Sequence, residues 1–156
     1  MKKTKVTRTC MDAALNYLAL RMRSETEMRR YLARKEYEEE KIDETIARLI
    51  ELNLINDEAF ATEMVRSQTA TKPIGRRALD YKMARAGVDK QSREEGLAQY
   101  SREDEQSACD RLIENLINRH GTDLKGLTKV QRAALNRGFS YDLIRNAVEK
   151  YKGLYE

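Results

Sequence analysis

The sequence has no tryptophan, two phenylalanines, one proline, seven glycines, two cysteines and a single histidine among 156 residues. Each scarcity excludes something. With aromatic residues at 6% and few turn formers, the chain lacks the β-branched and aromatic strands with frequent Gly/Pro turns of a sheet protein, and an all-helical fold is expected. Cys10 and Cys109 stand singly, with no CxxC pair and no histidine nearby, so neither a disulfide framework nor a zinc site is indicated; both read as packed, reduced thiols. No run approaches the ~18 apolar residues of a membrane span, and the basic start MKKTKVTRTC leads into no apolar leader segment, so a cytoplasmic protein is expected. GxxxxGK[ST], GxSxG and HExxH are all missing. His120 has no positioned nucleophile or carboxylate in the local sequence, and the adjacent acids Glu94-Glu95 and Asp104-Glu105 do not share a helix face, so these pairs read as solvent-exposed. No enzyme, metal or other cofactor is expected.

What the chain does have is charge, at 36% of residues: 30 Lys and Arg against 26 Asp and Glu give +4 and a pI near 9.0, a balance suited to a polyanionic partner. The basic residues recur at a fixed interval. ARKEY, ARAGV and LNRGF align so that Glu36, Gly87 and Gly138 fall 51 residues apart, each followed by an apolar side chain, Tyr37, Val88 or Phe139. Met28, Leu79 and Val130 keep the same register before these anchors, and Ile46, Leu97 and Val148 keep it after them. Self-similarity at such a period marks a repeat array.

Each unit reads as three helices. The first helices carry the stripes Met11, Ala14, Leu15, Leu18 and Met22, then Phe60, Ala61, Met64 and Val65, then Cys109, Leu112, Ile113, Leu116 and Ile117. The second helices are expected to open at Ser24 and at Thr128, where Glu27 and Gln131 complete capping-box spacing, and at Pro73 in a first turn. Gly87 and Gly138 suit left-handed helix ends, whereas Glu36 predicts a different turn. The third helices follow Ile42, Ile46, Leu49 and Ile50, and Ile144, Ala147, Val148 and Tyr151; the middle one is weakened by Gly96. The expected architecture is an all-α, elongated array of three tandem three-helix, helix-turn-helix-like repeats: a basic tail over 1–9, then repeats over 10–56, 57–104 and 105–156. Units this small are marginal alone and should stabilise one another by stacking.

The second helix is basic in every unit, so stacking would align its charge into a stripe. Solvated surface charge held by i to i+4 pairs is the plainer alternative. Arg30 and Arg34, four apart, share a face away from Met28 and Leu32. Tyr31 and Tyr81 lie within these helices, where half-buried packing is the expected role and stacking on bases the alternative.

Four stretches in order, ALNYLALRMRSETEMRRYLARKEY, LIELNLINDEAFATEMV, KPIGRRALDYKMARAGV and RAALNRGFSYDLIRNAV, resemble the RecX family of bacterial regulatory proteins over roughly residues 10–151. LINDEAF matches the join of the first two units, including Asp57 and Phe60; Glu36 departs from the glycine usual at its place. The resemblance implies three tandem three-helix units that bind the RecA recombinase, lie in the groove of its filament on single-stranded DNA, hinder filament extension or promote filament loss, and so suppress ATP hydrolysis and strand exchange. The expected contact face, chosen by charge placement, is Arg29, Arg30, Arg34, Arg76, Arg77, Lys82, Arg85, Arg132 and Arg137, meeting RecA carboxylates, DNA phosphates or both. A direct DNA-binding helix-turn-helix or architectural protein is the rival, and a scaffold without a nucleic-acid role is a third reading. A monomer is expected, since no heptad seam outruns a single helix.

Overall fold

A computed structural model describes residues 8–152 and folds them into nine α-helices: α1 Cys10–Leu18, α2 Glu25–Arg34, α3 Glu39–Glu51, α4 Asp57–Thr71, α5 Arg76–Arg85, α6 Lys90–Leu97, α7 Arg102–His120, α8 Leu124–Asn136 and α9 Tyr141–Lys152. They form three three-helix units, each around its own core. Met28, Leu32, Ile46 and Leu49 centre the first, Phe60, Leu79, Met83 and Val88 the second, and Ile113, Val130, Phe139 and Val148 the third. The basic tail expected over 1–9 lies largely outside the described residues; Thr9 is the N-cap of α1. Ser101 caps α7, so the expected boundary after residue 104 falls inside that helix. Both cysteines are buried and free, and burial pushes the Cys109 thiol up to about 12.

Several local expectations are corrected. α1 ends at Leu18, so Met22 lies beyond it, and the face turned to the core is Cys10, Ala13 and Ala14, with Leu15 exposed. Pro73 is not in a helix: it follows the extended Lys72 in the link between α4 and α5, and Gly75 is the N-cap of α5. Thr128 is not a cap either. α8 starts earlier, capped by Asp123, whose carboxylate accepts the Gly126 N–H, and the Thr128 hydroxyl donates to the Leu124 carbonyl inside the helix. Ser24 does form its capping box with Glu27. Gly96 belongs where it stands, because a Cβ there would lie 3.0 Å from the Cβ of Ala61 across the close α4 and α6 packing.

The units join by one repeated contact, in which the N-terminal end of a second helix abuts the C-terminal end of the next unit's second helix. At the first junction the Ser24 hydroxyl donates to the Ala86 carbonyl at 2.6 Å, and Thr26 lies where a Cβ on Gly87 would fall. At the second, the Gly75 N–H donates to the Arg137 carbonyl at 2.9 Å, and Ala78 lies where a Cβ on Gly138 would fall. Ser24 and Gly75 are 51 residues apart, as are Ala86 and Arg137, so the period in the sequence is the period of the joint.

The same joint explains Glu36. Its φ of 65° is left-handed like those of Gly87 at 79° and Gly138 at 91°. All three turns also close with the same pair of hydrogen bonds; in the first, the Glu36 and Tyr37 N–H groups donate to the Ala33 and Leu32 carbonyls. The expectation of a different turn is therefore corrected. What differs is the neighbour: Gly87 and Gly138 are pressed against the preceding unit, and the first unit has none before it among the described residues.

Candidate functional site

The end-to-end second helices bring five of the nine expected cations onto one stripe. In α2, Arg30 and Arg34 are spaced by four; in α5, Arg77, Tyr81 and Arg85 continue the same spacing; in α8, Arg132 occupies the equivalent place, 51 residues after Tyr81. All six side chains are exposed. The run crosses the first junction directly, because Arg30 Nη1 donates to the Arg85 carbonyl at 2.9 Å. A guanidinium at that helix end also opposes its partial negative charge. None of the five arginines is within salt-bridge distance of a carboxylate among the described residues. The stripe is therefore a cationic face with its charge unspent.

The other four cations are placed differently. Arg29 is held by Asp43 at 2.6 Å and by Glu25 at 3.6 Å, and the Asp43 hydrogen bond keeps its guanidinium above the ordinary arginine value. Arg76 is half-buried and donates to the carbonyls of Leu97 and Tyr100, tying off the end of α6. Lys82 donates to Gln68 at 3.0 Å, and Arg137, at the end of α8, is half-buried. These last two stand together, away from the stripe.

The aromatics divide as well. Tyr31 packs as expected, stacked on Tyr17 with centroids 3.9 Å apart, and the buried Arg23 guanidinium covers the other side of Tyr17 at 3.6 Å. Tyr81 does not: it is 62% exposed, with Arg85 5.8 Å from its ring. Its neighbours four residues away on the stripe, Arg77 and Arg85, are charged side chains that face water, and its ring borders an open pocket shared with Ala84 and Leu97.

One acid departs from expectation, and another braces a junction. Glu105 is buried rather than exposed, and one of its carboxylate oxygens has no hydrogen-bond partner. Burial pushes its carboxyl up, opposed by the nearby charge of Arg76. Asp57, within LINDEAF, braces the first junction by accepting the Glu25 N–H at 2.9 Å, and burial raises its carboxyl too. Glu94, Glu95 and Asp104 are exposed. Among the described residues no group of three His, Cys, Asp or Glu side chains is arranged to hold a metal, and no helix is long and apolar enough to cross a membrane.

A serial array of three-helix units defines a protein of the helical-repeat class. Family models described as the first and second three-helix domains of RecX match residues 10–49 and 56–97. The regulatory protein RecX of Prosthecochloris aestuarii is 31% identical over 92% of this chain and 94% of its own length. That of Bacillus subtilis is 33% identical over 89% of this chain, which spans about half (53%) of that longer protein. The crystal structure of RecX from Lactobacillus salivarius superposes with a TM-score of 0.78 at 31% identity, covering 90% of this chain and 93% of that one. A second crystal structure, of a regulatory protein RecX, shares the fold at 22% identity with a TM-score of 0.83, over 90% of this chain and 71% of that one. The chain belongs to the RecX family of regulatory proteins.

Proposed function

We propose that this chain is a negative regulator of the RecA recombinase that lies in the groove of the RecA filament on single-stranded DNA, limits filament extension or stability, and thereby inhibits ATP hydrolysis and strand exchange. The observation that carries the reading is the stripe of Arg132, Arg77, Arg85, Arg30 and Arg34, whose charge is unpaired among the described residues; Arg34 and Arg85 lie one 51-residue period apart, and Arg30 and Arg132 two. A helical polymer offers the same acidic or phosphate groups at regular intervals, and a serial array offers cations at regular intervals to meet them. Family membership supports a regulatory role. Arg29 and Arg76 contribute through the fold, since their guanidinium groups are already engaged.

Direct binding of single-stranded DNA is the second reading. Tyr81 favours it, because an exposed ring between two arginines is a platform for a base. The double variant Arg77→Glu with Arg85→Glu separates the stripe from the fold. It should keep wild-type helix content and lose at least tenfold in potency against RecA ATPase on single-stranded DNA. Undiminished inhibition removes the stripe from the contact face. Binding to naked DNA as tight as to RecA-coated DNA, with an affinity falling steeply as salt rises, transfers the function to the second reading.

A further inference from the structure

A second cationic feature lies at the junction of the second and third units. Lys72 ends α4, Lys82 projects from α5, and Arg137 ends α8. Three helices from two units thus converge on one point, each bringing a positive charge. Lys82 is held there by its hydrogen bond to Gln68. Its ammonium is pushed below the ordinary lysine value, first by burial, then by contact with Lys72 and by the charge of Lys72 and Arg137. Arg137 Nε is enclosed and has no hydrogen-bond partner. From Arg137 the feature continues into an open groove of about 520 Å³, walled by Pro73, Leu112, Asn115, Arg119 and Asn136 and by no acidic residue. None of these four cations is in a salt bridge among the described residues.

Helix ends do not neutralise this charge. The C-termini of α4 and α8 supply roughly −0.5 each, and the N-terminus of α5 at Gly75 returns roughly +0.5, against three full positive charges. Like charges gathered on a folded surface without a carboxylate oppose folding, and an anion removes that opposition. A carboxylate would satisfy one cation. A phosphodiester offers several acceptor oxygens to two ammonium groups and a guanidinium, and a chain of them follows the groove from Lys82 past Arg137 to Arg119. Asn115 and Asn136 on its walls carry amides able to meet base edges.

We propose that Lys72, Lys82, Arg137 and Arg119 form a binding site for the phosphodiester backbone of a single-stranded nucleic acid. The site goes beyond the filament reading and rests on it in one respect, that the strand within a filament is where it would meet its phosphates.

The test is fluorescence anisotropy with a labelled oligothymidylate across a salt series, comparing wild type, Lys72→Gln with Lys82→Gln, and Arg119→Gln. A control pair, Lys41→Gln with Lys90→Gln, removes two cations that already face glutamates. The cluster variant should bind about tenfold more weakly at low salt, with a log–log salt slope shallower by about 1.4 for its two lost cations. Arg119→Gln should show a smaller loss and the control pair none. Without nucleic acid the cluster variant should melt at a higher temperature than wild type, since repulsion is relieved, and added oligothymidylate should raise the wild-type midpoint more than the variant's. Absence of wild-type binding, or equal losses in the cluster and control pairs, overturns the site. RecA ATPase measured alongside keeps the two ideas apart: inhibition that persists with an unchanged salt slope discards the phosphate site alone, whereas a site that behaves as expected in a chain that never inhibits RecA discards the filament reading alone.

Discussion

The two junctions repeat one geometry with different chemistry. At the first, side chains do the joining: the Ser24 hydroxyl, the Asp57 carboxylate and the Arg30 guanidinium each reach backbone groups of the adjoining unit, and Gly87 faces the side chain of Thr26. At the second, backbone meets backbone: the Gly75 N–H donates to the Arg137 carbonyl, and Gly138 faces the main chain of Ala78 as well as its Cβ. A joint made of side chains can be trimmed and retuned. One made of main chain can only be kept or lost, and its glycines at 75 and 138 are the price of that closeness.

One methyl group added to each joint should separate the two most strongly. Gly138→Ala places a Cβ at a left-handed φ and against Ala78 main-chain atoms, and should cost about 2–5 kcal/mol of stability by thermal or denaturant unfolding. Gly87→Ala meets a side chain, so its smaller loss should be partly recovered by Thr26→Gly, which removes the obstructing atoms. No trimming at Ala78 should recover Gly138→Ala. Ser24→Ala comes next: it removes both the cap of α2 and the bond to Ala86, for a loss of about 1–3 kcal/mol measured in the same way.

Glu36→Gly works in the opposite direction. The turn is left-handed and, among the described residues, no unit is pressed against it, so glycine relieves strain and should stabilise by about 1 kcal/mol. The smallest effect is a pH slope. Burial raises the Glu105 carboxyl, so the folded chain holds its proton at a pH where the unfolded chain has released it. Stability therefore falls as pH rises from the ordinary glutamate value through the raised one, and the destabilisation is complete above it. Glu105→Gln should flatten that part of a melting-temperature profile recorded from pH ~4 to ~7.

The repeat was legible in the sequence because the joint demands small residues at a fixed interval and the cores demand apolar ones. Gly87, Gly138 and the Met28, Leu79 and Val130 register are direct prints of contacts between and within units. The start of α8 was not legible. Asp123 and Thr128 both offer cap chemistry, and Asp123 prevails because the turn after α7 folds back until the His120 and Gly121 carbonyls crowd Gly126. That glycine lies 51 residues after Gly75, so the third unit fills with its own turn the place where the other units receive a neighbour. The charge was legible in part. Spacing by four put Arg30 and Arg34 on one face and charge placement added Arg77 and Arg85, while the engagement of Arg29 with Asp43 and of Arg76 with Leu97 depends on partners 14 and 21 residues away in other helices. Arg119 escaped notice because it comes from a first helix, and only the fold brings it beside Arg137. Glu105 looked exposed because Asp104 and Glu105, being adjacent, do not share a helix face; in the fold it is buried beside Arg76 of the second unit.

In the proposed function, a serial array with a cationic stripe regulates a filament. Its most direct test is the rate of ATP hydrolysis by RecA on single-stranded DNA, with the wild-type chain added well below the RecA concentration. Strong inhibition is expected at that low ratio, because one array bridging several protomers affects many. Full RecA activity even at equal concentrations would contradict it.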